Sequence, residues 1–203
     1  MGKKTTGQNI VSKKGLVVFV EGQMEEVFYD IMIKHLIGTS SEVPIGICKV
    51  ENVKGVGNYT LKAPNIFKNQ ILRDYPDTIF SVICAYDSDV FEFSPKPPVN
   101  WKIAEKRLKE YGAKKVTHIK AVRMIEDWFL MDMDGLCRYL GLTKVPKIKG
   151  NTGFKKISDL FEKRNRIYVK GSQSDFQSFL NYQLLYNKLE KELSPLRKLL
   201  FVN

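Results

Sequence analysis

Two apolar runs stand out from the polar chain around them. Leu16-Val17-Val18-Phe19-Val20 is continuous and ends in Glu21-Gly22, and Ile79-Phe80-Ser81-Val82-Ile83-Cys84-Ala85 ends in Tyr86-Asp87-Ser88-Asp89. Continuous runs rich in β-branched residues predict strands buried on both faces, as in a parallel sheet. Between them, Met24, Val27, Phe28, Ile31, Met32, Leu36 and Ile37 recur at helical spacing, which predicts a helix over 24–37 with one broad apolar face, stopped by Gly38-Thr39-Ser40-Ser41. Residues 45–50 read as a further strand. Pro64 suits the first turn of a helix that Tyr75-Pro76-Asp77 closes. Residues 99–111 form a charged amphipathic helix ended by Gly112, and Lys115–Val122 alternate as a partly exposed strand. Met124–Asp132 is a dense apolar helix headed by Glu126 and Asp127. Prolines 95, 97 and 98 argue against a regular element after Asp89. Arg166–Gly171 reads as a short extended piece, followed by a helix over 175–193 that Pro195 interrupts before a last turn.

Alternating strands and helices predict an α/β fold with a mainly parallel central sheet and helices on both faces. The expected division is a flexible basic arm over 1–14, the α/β unit over 15–140, and a basic loop with a C-terminal helical extension over 141–203, packed on the same domain.

The acids fall where such a sheet places chemistry, at the carboxyl ends of the strands. Glu21 ends the first run, and Gly22 lets the chain turn sharply. Glu25 and Glu26 occupy the first turn of the next helix, where the macrodipole favours negative charge. Asp87 and Asp89, two apart in an extended segment, are expected to point the same way and to meet Glu21. Three hard oxygen ligands suit Mg²⁺ or Mn²⁺.

Composition changes this picture in one respect. The 203 residues carry a formal net charge of +11 although acids crowd the proposed site, so the rest of the surface is more basic still. That favours a polyanionic partner, nucleic acid foremost. Lys147, Lys149, Lys155 and Lys156 lie in a Pro/Gly/Lys stretch suited to tracking phosphates. Lys54, beside Gly55 and Gly57, sits in a loop that either lets backbone amides approach a phosphate or is merely flexible. Cys48, Cys84 and Cys137 have no metal-ligand spacing and read as reduced thiols of a cytoplasmic protein. No run approaches 18 apolar residues and the N-terminus lacks the apolar stretch of a signal peptide, so no membrane partner is expected. His35 and His118 read as structural.

Glu-Gly after a first strand with Asp-x-Asp after a later one resembles the Toprim (topoisomerase–primase) domain. The longer Val20-Glu21-Gly22-Gln23-Met24-Glu25-Glu26-Val27-Phe28-Tyr29 is similar to the Toprim domains of OLD-type nucleases and small RloB-like phage-defence proteins. The resemblance covers about residues 15–140 and extends more weakly to Tyr168-Val169-Lys170. It implies that Glu126 or Asp127, ahead of Trp128, lies near the metal site, and that Lys170 of the Tyr-x-Lys element offsets charge at the reacting phosphate; Lys54 and Lys155 are the other lysines considered for that role.

Divalent metals held by carboxylates supply what phosphodiester hydrolysis needs: an activated water, a neutralised phosphate and a stabilised leaving oxygen. Glu21, Asp87 and Asp89 are the expected ligands. Glu25 and Glu126 would hold a second ion, or Glu25 would position water. No Ser-His or Cys-His pairing competes. A topoisomerase needs a tyrosine nucleophile in a second domain and a primase needs zinc and template-handling modules, which a chain of this length has little room for. The expected function is a divalent-metal-dependent nuclease, set by the resemblance in anti-phage defence. The alternative is a non-catalytic nucleic-acid-binding or sensor subunit. A separate ATPase is a possible partner, and oligomerisation is left open.

Overall fold

The computed structural model describes residues 13–92, 98–171 and 175–201. Both apolar runs are interior strands of a four-stranded, wholly parallel sheet of order β2-β1-β3-β4. Strand β1 (Lys13–Val20) leads into α1 (Gln23–Thr39) and then β2 (Ile47–Asn52). A 3₁₀ turn (Val56–Thr60), α2 (Lys62–Ile66), a π turn (Phe67–Ile71) and α3 (Leu72–Asp74) follow before β3 (Thr78–Asp87). After a helical turn, α4 (Asp89–Glu92), come α5 (Trp101–Glu110), β4 (Lys115–Ala121), α6 (Ile125–Phe129) and α7 (Met133–Leu140). The described chain ends through α8 (Gly153–Glu162), a 3₁₀ segment (Asp175–Phe179), α9 (Tyr182–Lys188) and α10 (Glu190–Leu200).

The alternation of side chains along β1 divides the core in two. Leu16, Val18 and Val20 face one side with Ile83, Ala85, Ile119 and Ala121, and α1, α6 to α8, α9 and α10 cover them. Val17 and Phe19 face the other with Phe80, Val82 and Cys84, beneath the 3₁₀ turn, α2, the π turn and α5. Burial on both faces is why these strands read as continuous apolar runs rather than alternating ones. All three cysteines are free, and burial pushes the Cys48 thiol up to about 12. No helix among the described residues is long and apolar enough to cross a membrane.

The strand order places a topological switch at the centre of the sheet. The chain leaves β1 toward β2 on one side and leaves β3 toward β4 on the other, so the two crossovers diverge between β1 and β3. In open α/β sheets that divergence opens a crevice at the strand carboxyl ends.

Several local expectations give way to tertiary packing. Lys13 and Lys14 belong to β1 rather than to a free arm, and the arm up to Ser12 lies outside the described residues. The strand expected over 45–50 runs from Ile47 to Asn52, because its register is set by β1, with Val50 opposite Val18. The chain stays regular past Asp89 for one helical turn, and residues 93–97 of the proline segment lie outside the described set. Arg166–Gly171 joins no strand ladder: Tyr168 is buried while Ile167 and Val169 face outward, so the alternation reflects one anchored ring and not sheet pairing. Pro195 lies inside α10, and the break falls at Leu189 instead. The burial of Leu193, Leu196, Leu199 and Leu200 along one face offsets a proline cost of roughly 3 kcal/mol.

Candidate functional site

The switch point gathers acids from four elements. Glu21 follows β1 and Asp87 ends β3, and Glu21 Oε1 accepts the Asp87 backbone N–H at 2.9 Å. Asp87 Oδ1 in turn accepts the Ile125 N–H at 2.9 Å, where α6 begins. One residue on, Glu126 is fully buried and accepts a hydrogen bond from the Tyr168 hydroxyl at 3.2 Å. Glu25, in the first turn of α1, is buried beside them. The Lys170 ammonium lies 3.8 Å from Asp87 Oδ2. Glu21, Glu25, Asp87, Glu126 and Lys170 line one cleft of about 170 Å³, with Gly22 and Gly55 giving close backbone walls.

The frame behind the cleft is tied by backbone bonds. The Tyr59 hydroxyl lies beneath β1 and β3, donating to the Phe19 carbonyl at 3.0 Å and bonding the Ala85 carbonyl as well. Gly55 N–H donates to the Glu21 carbonyl at 2.7 Å. Ser88 N–H donates to the carbonyls of Ala121 and Arg123, and Ser88 Oγ accepts the Arg123 N–H at 2.7 Å. That crossing holds Arg123 at a φ of 68°, which turns the chain from β4 toward the acids. Gln177 Nε2 donates to the Met24 carbonyl at 3.0 Å and fixes the start of α1.

Burial dominates the electrostatics. Loss of hydration raises Glu21 to about 7, against the Asp87 N–H that favours its charge, and the Glu25 and Asp89 charges add to the rise. Asp87 is pushed up to about 9, by burial first and then by Glu25, despite the opposing charge of Lys170. Glu25 and Glu126 are also raised by burial. Burial alone would lower Lys170, but Glu126, Asp87, Asp89 and Glu25 more than reverse it and hold the ammonium above its ordinary value. Three buried acids, Glu25, Asp87 and Glu126, and the half-buried Glu21 thus face one cation.

Among the described residues no three acid, histidine or cysteine side chains are gathered closely enough to hold an ion as they stand. The donor set nevertheless fits a hard divalent cation. Its ligands are carboxylate oxygens, and Glu126 Oε2 and Asp89 Oδ1 are buried without a hydrogen-bond partner. Glu21, Glu25, Asp87 and Glu126 are the residues that would hold it, with Asp89 beside them.

The remaining expected residues divide clearly. Asp89 opens the helical turn after β3, so it and Asp87 are not alternate residues of one extended segment, although its charge acts on Glu21, Glu126 and Lys170. Asp127 turns toward α8: a Cβ on Gly153 would stand 2.7 Å from its backbone nitrogen. Lys156 is half-buried and acts on the Asp127 charge, whereas Lys147, Lys149 and Lys155 are exposed on the segment that leads into and opens α8. Lys54 is exposed in a left-handed turn at φ 63° next to Gly55. Neither Lys54 nor Lys155 lines the cleft; Lys170 does. Glu26 faces β2 and accepts from Asn52 Nδ2 at 3.2 Å. His35 pairs with Gln183, and His118 with Glu105 at 3.0 Å while standing edge-on to Trp101.

The pattern of the chain assigned no role to Tyr168, Ser88, Gly153 or Gln177. The signals it held were the Tyr-x-Lys element that contains Tyr168 and the position of Ser88 between two acids. No family model, curated protein or solved structure matches the chain.

Proposed function

We propose that the chain is a divalent-metal-dependent phosphodiesterase acting on nucleic acid, a nuclease of Toprim-like type. The observation that carries this reading is the cluster of buried acids facing Lys170 at the switch point of a parallel sheet. When bound there, Mg²⁺ or Mn²⁺ supplies a water nucleophile at neutral pH and polarises the phosphate. Glu21, Asp87, Glu25 and Glu126 would hold the cation, and their charge when deprotonated would draw a cation into the cleft. Lys170 stands at the cleft with its ammonium free of other ion pairs among the described residues besides that with Asp87, and it neutralises charge developing on the phosphate. The exposed lysines of 144–155 and Lys54 hold the polyanion by its backbone, which fits the net charge of +11. The resemblance to small phage-defence Toprim proteins favours anti-phage defence as the setting, with a separate ATPase as one candidate partner.

The test is incubation of the purified chain with DNA and RNA pools in Mg²⁺, Mn²⁺ or EDTA, beside Asp87→Asn. Cleavage that needs the divalent ion and is lost in the variant supports the reading. Binding without cleavage in any metal would make the chain a sensor or binding subunit instead.

A further inference from the structure

The opposite end of the sheet carries a second cavity, of about 460 Å³, and its lining differs in kind from the acidic cleft. It follows from a break in the strand pattern. On the face that packs against α10, β1 presents Leu16, Val18 and Val20, but the same alternation places Lys14 on that face at the strand's start. Strand β3 presents Ile83 and Ala85, preceded by Ser81 and Ile79, and β4 presents Ile119 and Ala121, preceded by Lys115. Register sets these beginnings side by side, Lys14 opposite Ile79 and Ser81 opposite Lys115. The end of α10 adds Lys198 and Leu199, and Lys114 completes the rim.

Four lysines and the apolar side chains of Ile45, Ile79 and Leu199 therefore line the cavity, and no acid among the described residues does. None of the four is in an ion pair among the described residues. Ile79 is 43% exposed, an apolar surface left open among these lysines. The volume is within the range of small-molecule sites, roughly 300–1,000 Å³, and an apolar floor with a few convergent charges is how such sites fix orientation. A simple anion would leave the floor wet, and a neutral ring would leave four ammonium groups unused. We propose that this cavity binds a nucleotide, its base on Ile79 and Leu199 and its phosphates among Lys14, Lys114, Lys115 and Lys198.

Lys14 lies near the start of β1 and Glu21 just past its end, seven residues on, so the two sites are separated by about 23 Å at ~3.3 Å per residue. The cavity is thus a ligand site apart from the acidic cleft, and the inference does not rest on the nuclease reading.

Calorimetric titration of the whole chain in EDTA, with ADP, adenosine and inorganic pyrophosphate as separate probes, tests it. The expected result is saturable ADP binding, weaker binding of pyrophosphate and of adenosine, and a loss of about tenfold or more in the exposed-surface variant Lys115→Glu/Lys198→Glu. Ile79→Ser should weaken ADP while leaving pyrophosphate unchanged. No ADP binding, equal affinity for pyrophosphate and ADP, or ADP affinity unaltered by the lysine changes would overturn the proposal. A single-stranded oligonucleotide that displaces ADP competitively would assign the basic ring to a polynucleotide track and overturn it equally.

Discussion

Glu21 Oε1 accepts the backbone N–H of Asp87 at 2.9 Å, so the two strand-end acids are one unit. The first carboxylate fixes the backbone from which the second projects, and the second fixes the start of α6 through the Ile125 N–H. A group held this way contributes to position as well as charge, and the substitutions that test it must separate the two.

Glu21→Gln keeps an acceptor for the Asp87 N–H, and Glu21→Ala removes it. Both should lose metal-dependent turnover. Only the alanine should also lose stability, by about 1–2 kcal/mol for the unpaired N–H. Urea denaturation of the two variants beside the parent chain reads the difference; equal stabilities would mean the bond does not organise the site.

The raised acids predict a pH dependence of the metal-free protein. A carboxyl raised on folding binds its proton more tightly in the native chain than in the unfolded one. Its contribution is complete below the unfolded value and is lost as pH rises through the folded value. Stability should therefore fall as pH rises through about 7, for Glu21, and on toward about 9, for Asp87. The slope is at most about 1.4 kcal/mol per pH unit for each proton. Asp87→Asn should flatten the upper part of that fall. Mg²⁺ should raise the melting temperature more at alkaline than at acid pH, because it competes with protons for the same oxygens. Thermal melts across this window in EDTA and in Mg²⁺ check both.

Lys170→Ala should cut turnover roughly a hundredfold to a thousandfold, as for loss of one donor to a developing oxyanion. Divalent binding should survive, since the ammonium is not a ligand. Single-turnover rates with calorimetric metal titration separate the two effects, and a variant that cleaves at the parent rate would remove Lys170 from the reaction.

Lys147, Lys149 and Lys155 are exposed next to the α6–α8 packing that Gly153 permits. Their joint change to Glu should weaken nucleic-acid affinity with little dependence on sequence. It should also reduce the slope of log affinity against log salt by about one for each phosphate that is no longer neutralised. Fluorescence anisotropy over a salt series measures it. An unchanged slope would place the binding face elsewhere.

The sheet was legible because Leu16–Val20 and Ile79–Ala85 are buried on both faces, which leaves an apolar run that no other element explains as simply. Glu21 and Asp87 were legible for the same reason, each being the first carboxylate after such a run. Asp89 was assigned to the site on a geometry the chain does not adopt, since β3 ends at Asp87 and a helical turn begins two residues later. Lys170 could be named only through the resemblance: it arrives on an irregular segment whose position depends on Tyr168 reaching Glu126, a hydrogen bond across 42 residues that no local period encodes. Pro195 misled because propensity is local and the leucine face of α10 is not. The basic ring at Lys14, Lys114, Lys115 and Lys198 was invisible in the chain because strand register, not spacing, assembles it.

Everything proposed for the cleft depends on a cation entering among these acids. Calorimetric titration of Mn²⁺ into the metal-free chain, beside Asp87→Asn, measures that directly. The reading predicts saturable binding that is lost or greatly weakened in Asp87→Asn while the fold is kept, and proton release on binding because burial raises both Glu21 and Asp87, so that the cation displaces protons from these oxygens. No saturable binding, or equal binding by the variant, would contradict it.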